Sequence, residues 1–316
     1  MTPSLDIIIV NWNSGEQLRE CIHSMTAVDL KGVSLARVVV VDNASQDGSV
    51  EGLTVPGVPI TVLRNDRNCG FAAACNQGAS GSKADYLLFL NPDTRLYRDS
   101  LAAPVHYMES DAAPSVGICG VQLIDESGAV ARSCVRFPTR GRLLAHFFGL
   151  QYMVPALIER ERMTDWDHLS TRPVDQVMGA YFLVRRGLFE SLKGFDERFF
   201  VFYEEMDFSL RSSQAGFTTS YFAGAQVFHA GQGTTQRVKT TALFYLLRSR
   251  VLYGYKHFGR AWGTIFLLLT LLVEPVSRSA FELLKRSLCD LRPVASAYLR
   301  LWRELPGLKA AEGVWQ

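Results

Sequence analysis

Tyr86-Leu87-Leu88-Phe89-Leu90-Asn91-Pro92-Asp93-Thr94 decides the fold. Five consecutive apolar residues closed by a proline turn read as a strand covered on both faces, as in a parallel sheet between helix layers. Open α/β sheets bind ligands outside the carboxyl ends of such strands. Asp93 therefore stands where a metal-bound diphosphate could sit and is a candidate Mg²⁺ or Mn²⁺ ligand. An aspartate after a strand also serves as a plain helix cap or turn residue.

Three more strand ends carry the same signature. Asp6 to Val10 runs into Asn11-Trp12-Asn13-Ser14 and then a segment with Leu18, Cys21, Ile22 and Met25 at helical spacing. Arg37 to Val41 ends in Asp42-Asn43-Ala44-Ser45-Gln46-Asp47-Gly48-Ser49, a loop rich in side chains that bond backbone. Ile60 to Arg64 leads through Asn65-Asp66-Arg67-Asn68-Cys69-Gly70-Phe71 into a small-residue helix, Ala72 to Gly81, able to approach its sheet closely. Repeated strand, loop and helix over residues 4 to 95 predict a nucleotide-binding α/β half-domain, since parallel strands need crossovers and helices fill them. A dinucleotide fold would need Gly-x-Gly-x-x-Gly after the first strand, but that turn has only Gly15; Gly-Lys-Ser/Thr of a P-loop is also missing. Phosphate must then be held by a metal and side chains.

With these motifs in order the chain resembles a family 2 inverting glycosyltransferase of GT-A fold, and most closely the bacterial rhamnosyltransferase branch. Val10-Asn11-Trp12-Asn13-Ser14, Val41-Asp42-Asn43-Ala44-Ser45, Asn68-Cys69-Gly70-Phe71-Ala72 with Asn76-Gln77-Gly78, and Asn91-Pro92-Asp93 carry the resemblance over roughly residues 4 to 260. Asn91-Pro92-Asp93 stands where many members have Asp-x-Asp, so a single carboxylate is left, a form common in the rhamnosyltransferase-like branch. The resemblance implies that Asn13, Asp42, Asn68, Gly70, Asn76, Asn91 and Asp93 hold the nucleotide sugar. It also makes His229, in Val227-Phe228-His229-Ala230-Gly231, the second metal ligand or a phosphate donor. Mg²⁺ commonly takes one or two carboxylates, with phosphate and water completing its shell.

A second carboxylate must deprotonate the acceptor hydroxyl. Glu204-Glu205-Met206-Asp207 follows an aromatic run and opens a helical pattern that reaches Ala215 and closes at Gly216. Acids in a first turn also simply complement the helix dipole, and Asp207 with Arg211 can pair four residues apart. The family motif is Glu-Asp-x-Asp with its second acid as general base, which the resemblance places on Glu205, with Glu204 and Asp207 on the acceptor side. Val116 to Ile124 and Asp175 to Val184 read as two further strands, the latter presenting Gly179-Ala180 to the acceptor. Residues 137 to 173 lack a clear period and are expected to form an acceptor loop, a helical insertion being the alternative.

Net charge hides an asymmetry. Residues 1–236 hold 20 Lys+Arg against 26 Asp+Glu, or −6, and residues 237–316 hold 13 against 5, or +8. The basic part contains Ala261 to Val273, apolar but shorter than the roughly 20 residues that span a bilayer. It reads as an interfacial element for an anionic membrane, with a buried bundle helix or a homodimer interface as alternatives. Its apolar content argues against nucleic acid. Six cysteines without a Cys-x-x-Cys pair fit reduced thiols. The expected layout is a GT-A catalytic domain over 1–236 (nucleotide half 1–95, acceptor half 96–236) and a helical region over 237–316. The first strand begins by Leu5 with no signal before it, so the expected location is cytoplasmic, peripheral at the inner face of the cell membrane.

The expected activity is transfer, with inversion, of L-rhamnose from dTDP-rhamnose to a polyprenyl-diphosphate-linked glycan during cell-surface polysaccharide synthesis. The alternatives are the same chemistry with a UDP-hexose or UDP-N-acetylglucosamine, and a non-catalytic membrane scaffold. A sugar-1-phosphate nucleotidyltransferase would need a Gly-rich basic loop after the first strand, which the sequence lacks.

Overall fold

A computed structural model describes residues 2–150, 161–231, 239–284 and 291–304. The chain forms two compact units, one of Met1–Arg136, Arg162–Glu197 and Glu204–Thr234, the other of Phe137–Glu161, Arg198–Tyr203 and Thr235–Gln316. Compactness thus groups two internal segments with the C-terminal helices.

The first unit is built on one sheet. Its strands are β1 (Ser4–Asn11), β2 (Ser34–Asp42), β3 (Ile60–Arg64), β4 (Tyr86–Leu90), β5 (Thr94–Leu96), β6 (Val116–Ile124), β7 (Arg172–Val174), β8 (Tyr181–Arg185) and β9 (Thr218–His229), in the order β3-β2-β1-β4-β8-β6-β9-β5 with β7 beside β9. β1 to β4 run parallel, so Asn11, Asp42, Arg64 and Leu90 all end at one edge of the sheet. The aliphatic runs are continuous because each strand serves two cores. Ile7, Ile9, Val38, Val40, Leu88 and Leu90 enter one, whereas Ile8, Val10, Val39, Val41, Leu87 and Phe89 enter the other.

The sheet is mixed. β8 lies antiparallel between β4 and β6, β6 pairs parallel with β9, and β5 and β7 are antiparallel to β9. The strand expected from Asp175 starts only at Tyr181; Gln176 makes an isolated bridge to Val135, and Tyr181 N–H turns back to the Met178 carbonyl. The helices are α1 (Glu16–Ser24), α2 (Phe71–Ala79), α3 (Ala102–Glu109), α4 (Arg140–Phe147), α5 (Arg186–Ser191) and α6 (Glu204–Gln214). α4 lies inside the stretch expected to be an acceptor loop, where Thr139 caps it by accepting from Arg142 N–H. Residues 151–160 of that stretch are outside the described residues.

α2 approaches the sheet as its small residues predict. A Cβ on Gly78 would fall 2.6 Å from Ile8 Cγ2 and 3.1 Å from Val41 Cγ2. Gly78→Ala is therefore expected to destabilise the unit by about 1–3 kcal/mol through overpacking between two strands. A urea midpoint equal to the wild type's would contradict this.

The second unit holds α4 with α7 (Lys239–Leu272), α8 (Glu274–Leu284) and α9 (Leu291–Arg303). α7 is broken at Gly259, whose φ of 81° is left-handed, the region where glycine carries no Cβ penalty. Its second half, expected as a single interfacial element, packs Phe266 against Phe147 of α4, with ring centroids 5.9 Å apart. Beneath lies a buried charge network. Arg250, 4% exposed, donates to Glu274, 2% exposed, through both terminal nitrogens, and Arg278 donates to Glu274 Oε1 at 2.9 Å. Burial alone would raise the Glu274 carboxyl, but Arg250 outweighs it and the group is held far below the usual range.

Candidate active site

The site is assembled at the carboxyl edge of the first unit's sheet. Asn11, last residue of β1, is buried, and its Nδ2 donates to Asp42 Oδ1 at 2.8 Å, Ser45 Oγ at 3.0 Å and Ser49 Oγ at 2.8 Å. Asp42 Oδ2 accepts from Ser45 N–H at 3.3 Å. The Asp42 carboxylate is thus fixed in position by the two loops. Asn13 and Ala44 sit at φ 52° and 60°. Asn13 N–H donates to Ser45 Oγ at 2.9 Å, and Asn13 Oδ1 accepts from Gln46 N–H at 2.8 Å. Left-handed non-glycine residues cost about 1–3 kcal/mol each and cluster in ligand clamps.

The start of α2 continues this edge. Asn68 Oδ1 accepts from Gly70 N–H at 3.0 Å, shaping the turn, and Gly70 at φ 91° caps the helix without a side chain. Asn43 Nδ2 donates to the Gly70 carbonyl at 3.1 Å and Asn43 Oδ1 accepts from Asn65 Nδ2 at 2.9 Å. Asn76 is used differently. Its Nδ2 donates to the Phe195 carbonyl at 2.8 Å and to Glu197 Oε1 at 3.0 Å, while its Oδ1 accepts from Phe195 N–H at 2.9 Å. Those bonds use both amide hydrogens of Asn76 and tie α2 to the chain 119 residues later.

Asp93 meets His229 because β5 pairs with β9. Thr94 lies opposite His229, the Asp93 carbonyl accepts Ala230 N–H at 3.1 Å, and Asp93 Oδ1 is 3.4 Å from His229 Nε2. Their side chains are only 12% and 14% exposed. Neighbouring ligands of an octahedral ion at 2.0–2.1 Å stand about 3 Å apart, so this oxygen and nitrogen suit one metal with little movement. Among the described residues no third His, Cys, Asp or Glu joins them, which leaves the remaining positions to diphosphate oxygens and water. Behind Asp93, Cys21 Sγ lies 3.4 Å from Thr94 Oγ1, and burial pushes its thiol up to about 12, so it stays protonated.

The acceptor side is linked to this loop. Asn91 N–H donates to the Ala180 carbonyl at 3.0 Å, and Gly179 faces Glu205, whose Oε1 would be 3.7 Å from a Cβ placed there. Glu204 and Glu205 open α6 after Phe202 and Tyr203, both left-handed at φ 66° and 70°. Helical geometry predicts that adjacent side chains diverge by about 100°. Here the two carboxyls instead share a hydrogen bond, and each keeps one buried oxygen without a partner. Burial, then the charge of Glu205, drives the Glu204 carboxyl well above its ordinary value. Glu205 is also raised by burial, although the bond from Glu204 works against the shift. Across the shared bond Glu204 is thus raised further than Glu205, and the two carboxyls titrate as a pair. Asp207 is buried and bonds Arg211 Nε at 2.8 Å, the pairing anticipated from their spacing.

The fold thus gathers Asn13, Asp42, Asn68 and Gly70 at the carboxyl edge of the sheet, links the turn of Asn91 and Asp93 through Ala180 and Gly179 to Glu205, and bonds Asn76 to Phe195 and Glu197 and Asp207 to Arg211. Asn11 and Asn43 escaped notice as site residues. A polar residue closing the buried apolar run Ile7 to Val10, as Asn11 does, was the signal available.

Comparison with known proteins follows the same lines. The family described as Glycosyl transferase family 2 matches residues 6–156. The N-acetylglucosaminyl-diphospho-decaprenol L-rhamnosyltransferase of Mycobacterium tuberculosis is 28% identical over 256 residues, 75% of this chain and 79% of that protein. Rhamnosyltransferase WbbL of Escherichia coli is 28% identical over 170 residues, 54% of this chain and 61% of that protein. Among solved structures, the mannosyltransferase PcManGT from Pyrobaculum calidifontis in complex with GDP-Man and Mn²⁺ aligns with a TM-score of 0.58 at 16% identity, covering 96% of this chain and 88% of that one, a likeness of fold. With its mixed sheet and motif order, the chain has a GT-A-like fold, of which residues 6–156 match glycosyl transferase family 2.

Proposed function

We propose that the chain is an inverting glycosyltransferase that moves L-rhamnose from dTDP-rhamnose to a polyprenyl-diphosphate-linked glycan, with Glu205 as base and Asp93 with His229 holding Mg²⁺ or Mn²⁺. The observation that carries the reading is the chain of contacts from the turn of Asn91 and Asp93 through Ala180 and Gly179 to Glu205, which brings two carboxylates to one region and supports reading Asp93 as facing the diphosphate and Glu205 as the proton acceptor. The mycobacterial relative's name supports both the rhamnose and the lipid-linked acceptor.

Glu205, charged while Glu204 keeps the pair's proton, accepts the acceptor hydroxyl's proton, and the oxygen attacks the anomeric carbon in line with the departing diphosphate. One displacement inverts that carbon. Asp42, fixed by Asn11 and Ser45, and the turn capped by Asn68 hold the nucleoside. Bound between Asp93 and His229, a divalent ion would neutralise charge on the leaving diphosphate. The Mn²⁺ in the mannosyltransferase structure supports that choice of ion. Gly179 leaves the approach to Glu205 open.

The test is nucleoside-diphosphate release from dTDP-rhamnose, UDP-glucose, UDP-N-acetylglucosamine and GDP-mannose with a short-chain polyprenyl-diphosphate-N-acetylglucosamine. Acceptor-stimulated dTDP release is expected. Preference for another donor would overturn the rhamnose assignment, and silence from every donor would overturn the catalytic one. Asp93→Ala is expected to lower kcat/KM by about 10²-fold or more, since a metal's charge stabilisation is worth several kcal/mol. In calorimetry the same variant should bind dTDP equally with and without Mn²⁺; tighter binding with Mn²⁺ would remove Asp93 from the metal site.

A further inference from the structure

The helical unit presents an apolar face that nothing within it covers. Ile265, Leu268, Leu272 and Val276 follow one another at intervals of three, four and four along the end of α7 and the start of α8, and they are between 40 and 69% exposed. Such spacing lines one side of a helix. α9 adds Leu299 and Trp302, likewise exposed. Exposed aliphatic side chains of this number are unusual on a free surface and mark a docking face.

Charge selects the occupant. From Ala261 to Val273 the sequence has no charged residue, and Glu274, the acid next along the chain, is turned inward onto Arg250 and Arg278. Arg260 on α7 and Arg292 and Arg303 on α9 are exposed, in a region of net charge +8. An exposed apolar stripe on a basic helical unit with exposed cations matches the boundary between acyl chains and anionic headgroups.

The opposite side of α7 decides how deep the helix goes. Gly263, Phe266, Leu267, Thr270 and Leu271 are buried there, and Thr270 Oγ1 accepts from Arg250 at 3.3 Å. The stretch Lys239–Ser279 is long and apolar enough to cross a bilayer, but crossing would carry the Arg250, Glu274 and Arg278 network into hydrocarbon, where ionised groups are costly. We infer that the stripe Ile265, Leu268, Leu272 and Val276 lies in the plane of an anionic membrane surface, entering the headgroup boundary without spanning it. The inference goes beyond the transfer reaction and is independent of donor and base.

The experiment is flotation of the full chain with vesicles of phosphatidylcholine alone or with 30% phosphatidylglycerol, at low and high salt. The wild type is expected to float with the anionic vesicles, to be released by alkaline carbonate, and to bind at least tenfold more weakly in high salt. Leu268→Glu with Leu272→Glu should reduce binding at least tenfold. Both positions are solvent-facing, so an unchanged unfolding midpoint serves as the folding control. Arg260→Glu with Arg292→Glu and Arg303→Glu should abolish the preference for phosphatidylglycerol with the stripe intact. Retention after carbonate would show a spanning helix and overturn the in-plane placement. A wild type that ignores the vesicles, or a dimer that the double glutamate variant dissociates with vesicle binding unchanged, would make the stripe something other than a membrane face.

Discussion

Glu205→Gln is expected to lower acceptor-dependent nucleoside-diphosphate release by 10²- to 10⁴-fold, the range that general base catalysis contributes, equivalent to about 2.7–5.5 kcal/mol of barrier. The amide keeps the size of the side chain and its approach to Gly179 but accepts no proton. Donor binding, which belongs to the Asp42 and Asp93 side of the edge, should change little, so the loss should fall on kcat. The pH profile supplies an independent check. Burial raises Glu205 above its ordinary value of 4.5, and a base acts only when deprotonated, so the acid limb of kcat should lie above pH 4.5 and activity should climb as pH rises through it. The bond from Glu204 opposes that rise, so Glu204→Ala is expected to move the limb further up, whereas Glu204→Gln, which still has hydrogens to donate, should move it less. A Glu205→Gln enzyme within tenfold of wild type would assign the base to another group.

Glu274→Gln is expected to destabilise the helical unit by about 3–5 kcal/mol, because it leaves Arg250 and Arg278 without their counter-charge in a buried setting. The network's formation is weaker evidence of stability than its interruption suggests: replacing Arg250, Glu274 and Arg278 together by apolar residues of similar volume is expected to be neutral or stabilising by about 1–4 kcal/mol. The sign with pH follows from the depressed carboxyl of Glu274. Its contribution is complete above the ordinary value of 4.5 and is lost as pH falls toward the lower folded value, so the wild type and Glu274→Gln should converge in acid. Urea titrations at pH 7 and pH 3 measure both effects, and a difference under 1 kcal/mol at pH 7 would refute the role of the network.

Much of this arrangement is written in local sequence. β1, β2 and β4 are legible as uninterrupted aliphatic runs because both faces of each are covered, and the polar residues that stop them mark the edge where ligands gather. Asp207 with Arg211 is legible from spacing alone. Direction is another matter. Period two says nothing of whether β8 runs with β4 or against it, and three-residue strands such as β5 and β7 carry no period, although β5 is what brings His229 to Asp93. The bonds of Asn76 to Phe195 were not legible, because those partners lie 119 residues on, beyond any local pattern. The bond between the Glu204 and Glu205 carboxyls runs against the divergence of adjacent helical side chains, so neither propensity nor spacing announces it.

β8 has a consequence for biosynthesis. β4 finds its second hydrogen-bonding partner in Tyr181–Arg185, so a nascent chain that has emerged only as far as residue 156, where the family match ends, presents the bare edge of an all-apolar strand. Counted from the emergence of Leu90 to that of Arg185, the edge waits roughly 5–20 s for its neighbour at ordinary elongation rates. During that interval the nascent N-terminal half is open to aggregation and to chaperones.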